Sequence, residues 1–355
     1  MALKPGVVCG DDYVELVNAC KEGGYALAAV NCVGTDSVNA VMEAAAKNNS
    51  DVIIQFSNGG TQFYAGAGME DAFQAKVLGA VSAAQHVHLL AEHYGICAVL
   101  HTDHANRKLV PWIDALVDHS EQYYKKNGKA LYSSHMLDLS EEDIDDNLNE
   151  CARMLEHMAK FDMSLEIELG ITGGEEDGVG HDIEEGADSS HLYTQPEDVL
   201  KAYDLLTPIG HFSVAASFGN VHGVYKPGNV QLRPEILKNS QELVRKTHGT
   251  ADKPLNLVFH GGSGSEKDKI AAAISYGVFK MNIDTDTQFA FAEGVGKYVE
   301  EHMTAFKYQI DPETGAPLKK YYDPRKWLRQ GELSFIKRLD EAFEDLGSAG
   351  RSLAK

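Results

Sequence analysis

Along this chain, short apolar or β-branched runs alternate with longer stretches in which apolar residues recur every three or four positions. The short runs are ALAAVN (26–31), VIIQF (52–56), CAVLH (97–101), LYSSHM (131–136), SLEIEL (164–169), FSVAAS (212–217), LNLVFH (ending at His260) and VFKMN (278–282). Their length and composition predict strands, and the amphipathic stretches 36–48, 72–94, 109–127, 140–161, 196–207, 234–248, 265–276 and 285–303 predict helices between them. Ser140 and Thr194 stand where helix N-caps are expected. About eight strands alternating with about eight helices is the pattern of a closed (β/α)8 barrel, with an open doubly wound sheet as its competitor. No repeat, low-complexity segment or linker divides the chain. It reads as one barrel domain, 1–355, with a C-terminal loop and helical extension from about 304.

Composition narrows the partners. The 355 residues are 43% hydrophobic and 24% charged, which suits a globular chain with a large core. Lys and Arg total 32 against 53 Asp and Glu, a formal charge of −21. That balance argues against nucleic acid or an anionic membrane as a partner, and any phosphate must find a locally built site. The cysteines at 9, 20, 32, 97 and 151 form no CxxC pair and read as reduced thiols. Without a signal-peptide core or a run of roughly 20 apolar residues, the expectation is a soluble cytoplasmic protein.

The chemistry gathers just past the strands. Asn31 follows the first, Ser57-Asn58-Gly59-Gly60 the second, Asp103 and His104 the third, and Asp138 the fourth. Glu166 and Glu168 close the fifth, ahead of GITGGEEDG. His222 and Lys226 follow the sixth, HGGSG (260–264) the seventh, and Asn282, Asp284 and Thr285 the eighth. In a barrel these ends share one mouth, where such folds carry active sites. His104, His222 and His260 are therefore candidate ligands of one Zn²⁺, three imidazoles leaving a fourth position open for catalysis. Any single histidine of the fifteen is by default a core or surface residue; position at a strand end lifts these three. The glycine-rich turn HGGSGS offers backbone N–H groups and a helix N-terminus to a phosphate. GGEEDG reads as an acidic loop able to bring a proton-transfer group to the mouth, or as a solvated charge run.

Taken together, AVNCVGTDS, QFSNGG, HTDH, SSHMLDLSEE, LEIELG, TGGEEDGV, ASFGNVHGVYKPGN, FHGGSGS, KMNIDTDTQ and KKYYDPRKWLR closely resemble the long-sequence subgroup of the class II, zinc-dependent fructose-1,6-bisphosphate aldolases. The resemblance runs from about Gly6 to the C-terminal helix. It implies a homodimeric (β/α)8 lyase of glycolysis and gluconeogenesis that reversibly cleaves fructose 1,6-bisphosphate to dihydroxyacetone phosphate and glyceraldehyde 3-phosphate. Carried over by position, it makes His104, His222 and His260 the zinc ligands, with Glu168 and Asp138 as transient ligands or as partners behind them. Asp103 would be the acid/base at the aldehyde or carbon-4 oxygen, Glu176 would move the carbon-3 proton, and Asn282 would hold the enediolate. Gly223, Gly261, Ser263, Asp284 and Thr285 would hold the ketose phosphate, with Na⁺ or K⁺ near Gly223, Gly261 and Ser263, and Lys226 and Gly262 are further substrate-binding candidates. Asn31 and Ser57 would face the aldehyde half, and Arg325 would reach its phosphate from the neighbouring subunit. GHDIEEGADSSH and EHMTAFKYQIDPETGAP depart from the family pattern and bear on loop closure and on the placement of Arg325.

Lys280 in VFKMN invites a Schiff-base mechanism. Zinc chemistry requires no such lysine; period-2 alternation points Phe279 and Met281 the other way from Lys280, and the resemblance implies that Lys280 is scaffold or outward-facing. Tagatose 1,6-bisphosphate aldolase is the nearest rival, and a non-catalytic sugar-phosphate sensor is a rival of another class.

Overall fold

The computed structural model describes residues 2–170, 173–176, 179–181, 193–222, 232–262 and 264–355. Eight strands form β1 (Leu27–Asn31), β2 (Val52–Phe56), β3 (Cys97–Thr102), β4 (Ser134–Leu137), β5 (Ser164–Leu169), β6 (Phe212–Ala216), β7 (Leu257–Phe259) and β8 (Val278–Ile283). Each pairs in parallel with its sequence neighbours, and β8 pairs with β1, so the sheet closes into a (β/α)8 barrel. Helices such as Thr35–Lys47, Ala72–Tyr94 and Val110–Asn127 connect successive strands. They pack on the barrel's outside, burying Val30, Ile54, Leu100, Ile167 and Val214 from the outward strand face.

Inside, the barrel is divided by polarity. Its lower part is apolar, with Ala29, Ile53, Val99, Met136, Ala215, Val258 and Phe279 in one cluster. A helix at Gly10–Gly23, which the strand–helix alternation did not predict, closes this end. Its Tyr13, Leu16, Val17 and Cys20 follow the three-and-four spacing of a buried stripe and join the same cluster. Asp11 and Asp12 favour the positive helix start, and Gly24, at φ 65°, supplies the left-handed turn that ends it. The upper part of the interior carries Gln55, His101, Glu166, Glu168, Lys280 and Asn282, all buried.

The predicted extension is helical from Lys319 to Tyr322 and from Pro324 to Asp345. The longer helix lies so close to the helix Thr285–Glu301 that a Cβ on Gly331 would meet the Phe291 ring at 2.7 Å. Two cap expectations are corrected. Asp143, not Ser140, precedes the helix Ile144–Met158, and Ser140 instead donates to Asp138 at 2.7 Å. Gln195 precedes the helix Pro196–Leu206, while Thr194 donates to the Leu169 carbonyl and accepts from the Ser217 N–H. Thr194 thus ties the ends of two strands together, while Ser140 makes a local turn with Asp138.

His135 on β4 faces the helix layer, fully buried, with Nδ1 at 2.7 Å from Thr102 Oγ1. Burial pushes its pKa down to about 3. An unfolded chain takes this proton near pH 6.5, whereas the folded one refuses it until about pH 3. The neutral ring's contribution is therefore complete above pH 6.5 and is lost as pH falls. At pH 5 the loss is about 2 kcal/mol. In His135→Gln, the gap in unfolding free energy between pH 7 and pH 5 should shrink by that amount in urea titrations. An unchanged gap would mean that the ring is protonated in the fold.

Candidate active site

Asp103 follows β3 and is fully buried at the barrel mouth. Three amides converge on its carboxylate. Asn31 Nδ2 and Gln55 Nε2 each donate to Oδ2 at 3.0 Å, and Asn282 Nδ2 donates to Oδ1 at 3.2 Å. Gln55 also donates to Asn31 Oδ1. With donors from β1, β2 and β8, the carboxylate is held in one orientation and can only accept. Gln55 was absent from the predicted site. An amide inside the apolar run VIIQF, on the inward face, is the signal that would have found it.

His104 and His260 meet beside Asp103. Nε2 of His104 and Nδ1 of His260 face one another at 2.9 Å, and Asp103, His104 and His260 bring candidate ligand atoms together within 4.8 Å. The remaining ring nitrogens lie against carboxylates. His104 Nδ1 is 3.1 Å from Asp138 Oδ2 and 3.6 Å from Glu168 Oε2, while His260 Nε2 is 2.7 Å from Glu166 Oε1. Carboxylates accept, so this network assigns a hydrogen to His104 Nδ1 and to His260 Nε2. The facing nitrogens are then both lone-pair donors to whatever lies between them, and two lone pairs at this separation repel unless a cation joins them. A histidine whose outer N–H rests on a carboxylate is the usual dress of a metal ligand. The donor set thus fits a metal such as zinc.

Electrostatics agree. Burial pushes the His260 imidazole down, keeping it neutral, as a ligand must be. For Asp138, burial opposes ionisation, but the hydrogen bonds from His104 and Ser140 prevail and hold the carboxyl well below its usual range.

The glycine turn has its own geometry. Gly261 adopts φ 60° and Gly264 φ 75°, and a Cβ on Gly262 would meet Met281 Cγ at 2.7 Å. Only glycine fits these three positions without strain. Asp284 caps the helix Thr285–Glu301, accepting through its carbonyl from Thr287 and Gln288 N–H groups and through Oδ1 from Gln288 Nε2. Ser57 caps the helix Asn58–Tyr64 by accepting from Gly60 N–H at 3.0 Å.

Other predicted residues are placed elsewhere or less fully. Val221–His222 pairs in parallel with Gly173–Glu176, joining the segments after β5 and β6 at backbone level. The side chains of His222 and Glu176, together with Gly223, Lys226 and Ser263, lie outside the described residues. Arg325 stands at the start of the C-terminal helix, its side chain 88% exposed and ion-paired to Asp323 at 2.6 Å.

Lys280 is a correction. It is not outward-facing: its Nζ donates to both oxygens of Glu166 at 2.8 Å inside the barrel, and it is 1% exposed. Alternation with inward Asn282 places it there; the irregular residue is Phe279, left over as the β7–β8 pairing steps from Leu257↔Val278 to Val258↔Lys280. Phe279 still turns inward, edge-on to Tyr13 at 6.5 Å, so strict alternation fails there.

Comparison with known proteins agrees with this geometry. Residues 11–351 match the family model for fructose-bisphosphate aldolase class-II. A fructose-bisphosphate aldolase of Campylobacter jejuni is 57% identical over 354 residues, covering 99% of this chain and 98% of its own. The class 2 enzyme of Escherichia coli K12 is 55% identical over 351 residues, covering 98% and 97%. A crystal structure of the Campylobacter jejuni aldolase superposes with a TM-score of 0.90 at 55% identity, covering 99% of this chain and all of that one. A closed barrel with paired histidines at its mouth, matched along its whole length by these relatives, belongs to the class-II fructose-bisphosphate aldolase family, a family of lyases.

Proposed function

We infer that this chain catalyses the reversible cleavage of fructose 1,6-bisphosphate to dihydroxyacetone phosphate and glyceraldehyde 3-phosphate, in glycolysis and gluconeogenesis, with zinc held by His104, His222 and His260. The observation that carries the reading is the facing pair of imidazole nitrogens beside the buried Asp103 carboxylate. Zinc, when bound, supplies Lewis-acid polarisation of the ketose carbonyl and charge stabilisation of the enediolate. Asp103 moves the proton at the carbon-4 oxygen, aimed there by the amides of Asn31, Gln55 and Asn282. Glu176 moves the proton at carbon 3, and Asn282 holds the enediolate. Asp138 and Glu168 orient His104 or serve as transient ligands.

The ketose phosphate is served by Gly223, Gly261, Ser263, Asp284 and Thr285, and Lys226 and Gly262 also bind substrate. Backbone N–H groups of the glycine turn and the start of the helix Thr285–Glu301 suit an anion without adding side-chain charge. Na⁺ or K⁺ sits near Gly223, Gly261 and Ser263, and Asn31 and Ser57 face the aldehyde half. The whole chain acts as one domain. It works in the cytoplasm as a homodimer; among the described residues no helix is long and apolar enough to cross a membrane. A coupled assay on fructose and tagatose 1,6-bisphosphates tests the substrate. Fructose bisphosphate should turn over faster, and the reverse order would reassign it.

Arg325 contributes to the aldehyde-side phosphate of the neighbouring subunit. Its exposure and its place outside the barrel support a role beyond its own mouth, and guanidinium binds phosphate oxygens in a planar fork. Arg325→Ala should raise KM for the bisphosphate and for glyceraldehyde 3-phosphate while leaving dihydroxyacetone phosphate binding near normal. Mixing Arg325→Ala and Asp103→Ala subunits should restore activity, because each hybrid dimer holds one intact site. Verified heterodimers that stay inactive would return Arg325 to its own subunit.

A further inference from the structure

Beneath the two histidines lies a charged layer that the reaction does not touch. Glu166 on β5 accepts from Lys280 Nζ through both oxygens at 2.8 Å and from His260 Nε2 through Oε1 at 2.7 Å. Glu166 and Lys280 are each 1% exposed. His101 on β3, itself hydrogen-bonded to Ser134 at 2.7 Å, brings Nε2 to 3.6 Å from Glu166 Oε2. An ion pair sealed in a barrel adds little stability over apolar side chains of the same size, because both charges give up their water. What it does add is direction. A carboxylate gripped through both oxygens cannot rotate, so the acceptor it offers His260 is fixed in space. The β7–β8 register sets Lys280 opposite Val258, two residues short of His260 on the neighbouring strand.

We propose that Lys280 and Glu166 are positioning residues for metal binding: the lysine clamps the carboxylate, and the carboxylate takes the Nε2 hydrogen of His260 and fixes the ring with Nδ1 turned toward His104. This rests on the metal reading above. It gives the barrel lysine a task that needs no nucleophilic attack.

Two charge-neutral double variants separate positioning from filling. Glu166→Gln/Lys280→Met keeps an acceptor for His260, and Glu166→Met/Lys280→Met removes it; neither leaves an unpaired buried charge. Each metal-stripped protein is titrated with Co²⁺ against a competing chelator, the visible absorption band is recorded, and thermal midpoints are measured alongside. The Met/Met variant should bind Co²⁺ about 10–100-fold more weakly than wild type, the loss expected when the group behind a ligand is removed. Its band should shift, with a midpoint no lower than that of Gln/Met, which should lie between the two in affinity. Met/Met binding as tight as wild type with the same band would overturn the proposal and leave the metal reading standing. Wild-type Co²⁺ binding and absorption unchanged by His260→Ala would overturn the metal reading, and this proposal with it.

Discussion

Asp103→Ala should abolish cleavage of fructose 1,6-bisphosphate while sparing proton exchange between dihydroxyacetone phosphate and solvent. The carboxylate is buried, accepts from three amides, and lies beside the histidine pair but not on the glycine turn expected to hold the ketose. Its loss removes the group proposed to take the carbon-4 hydroxyl proton, a contribution of roughly 10²–10⁴-fold for a positioned acid/base. The amides of Asn31, Gln55 and Asn282 lose an acceptor but can reach water at the mouth, so the barrel should still fold. Glu176→Ala should show the converse, slowing exchange itself by a similar factor. Tritium release from labelled dihydroxyacetone phosphate, read beside bound metal, decides the matter. Equal loss of exchange in both variants with metal intact would refute the division of labour.

His260→Ala should lose metal and cleavage together. Removing one of the three proposed ligands should weaken binding by more than the 10–100-fold typical of losing a partner behind a ligand. The change should spare the fold. Glu166 keeps both hydrogen bonds from Lys280, so no buried carboxylate is left uncompensated, and the cost should stay near the 1–3 kcal/mol of one lost buried polar contact. Elemental analysis after dialysis, together with the thermal midpoint, checks this. Full cleavage by a variant shown to hold no metal would remove zinc from the mechanism.

The barrel was legible because strand-length apolar runs and amphipathic stretches carry different periods, and each of the eight strands falls within three residues of its expected place. Asp103, His104 and His260 were legible as polar groups ending apolar runs. The misses have physical causes. Tyr13, Leu16, Val17 and Cys20 have plain helical spacing, but a helix ahead of the first strand has no place in a β-then-α count. Lys280 shares a strand face with Asn282 two residues on, so the alternation that sends Asn282 to the mouth also sends Lys280 inward; the bulge adds Phe279 to that face. Ser140 and Thr194 sit at helix starts in sequence, yet Ser140 bonds to Asp138 two residues back and Thr194 joins Leu169 to Ser217 across two strand ends.

The division of the barrel interior into an apolar floor and a polar upper layer has an evolutionary corollary. Durability resides in the floor, its helix and the outer sheet–helix interface, whereas turnover resides in groups whose burial works against folding. Substitutions in one compartment can therefore drift with little effect on the other. A variant that fills the upper layer with hydrocarbon should gain heat resistance as it loses chemistry. Selection for ruggedness alone would erode this enzyme from the mouth downward.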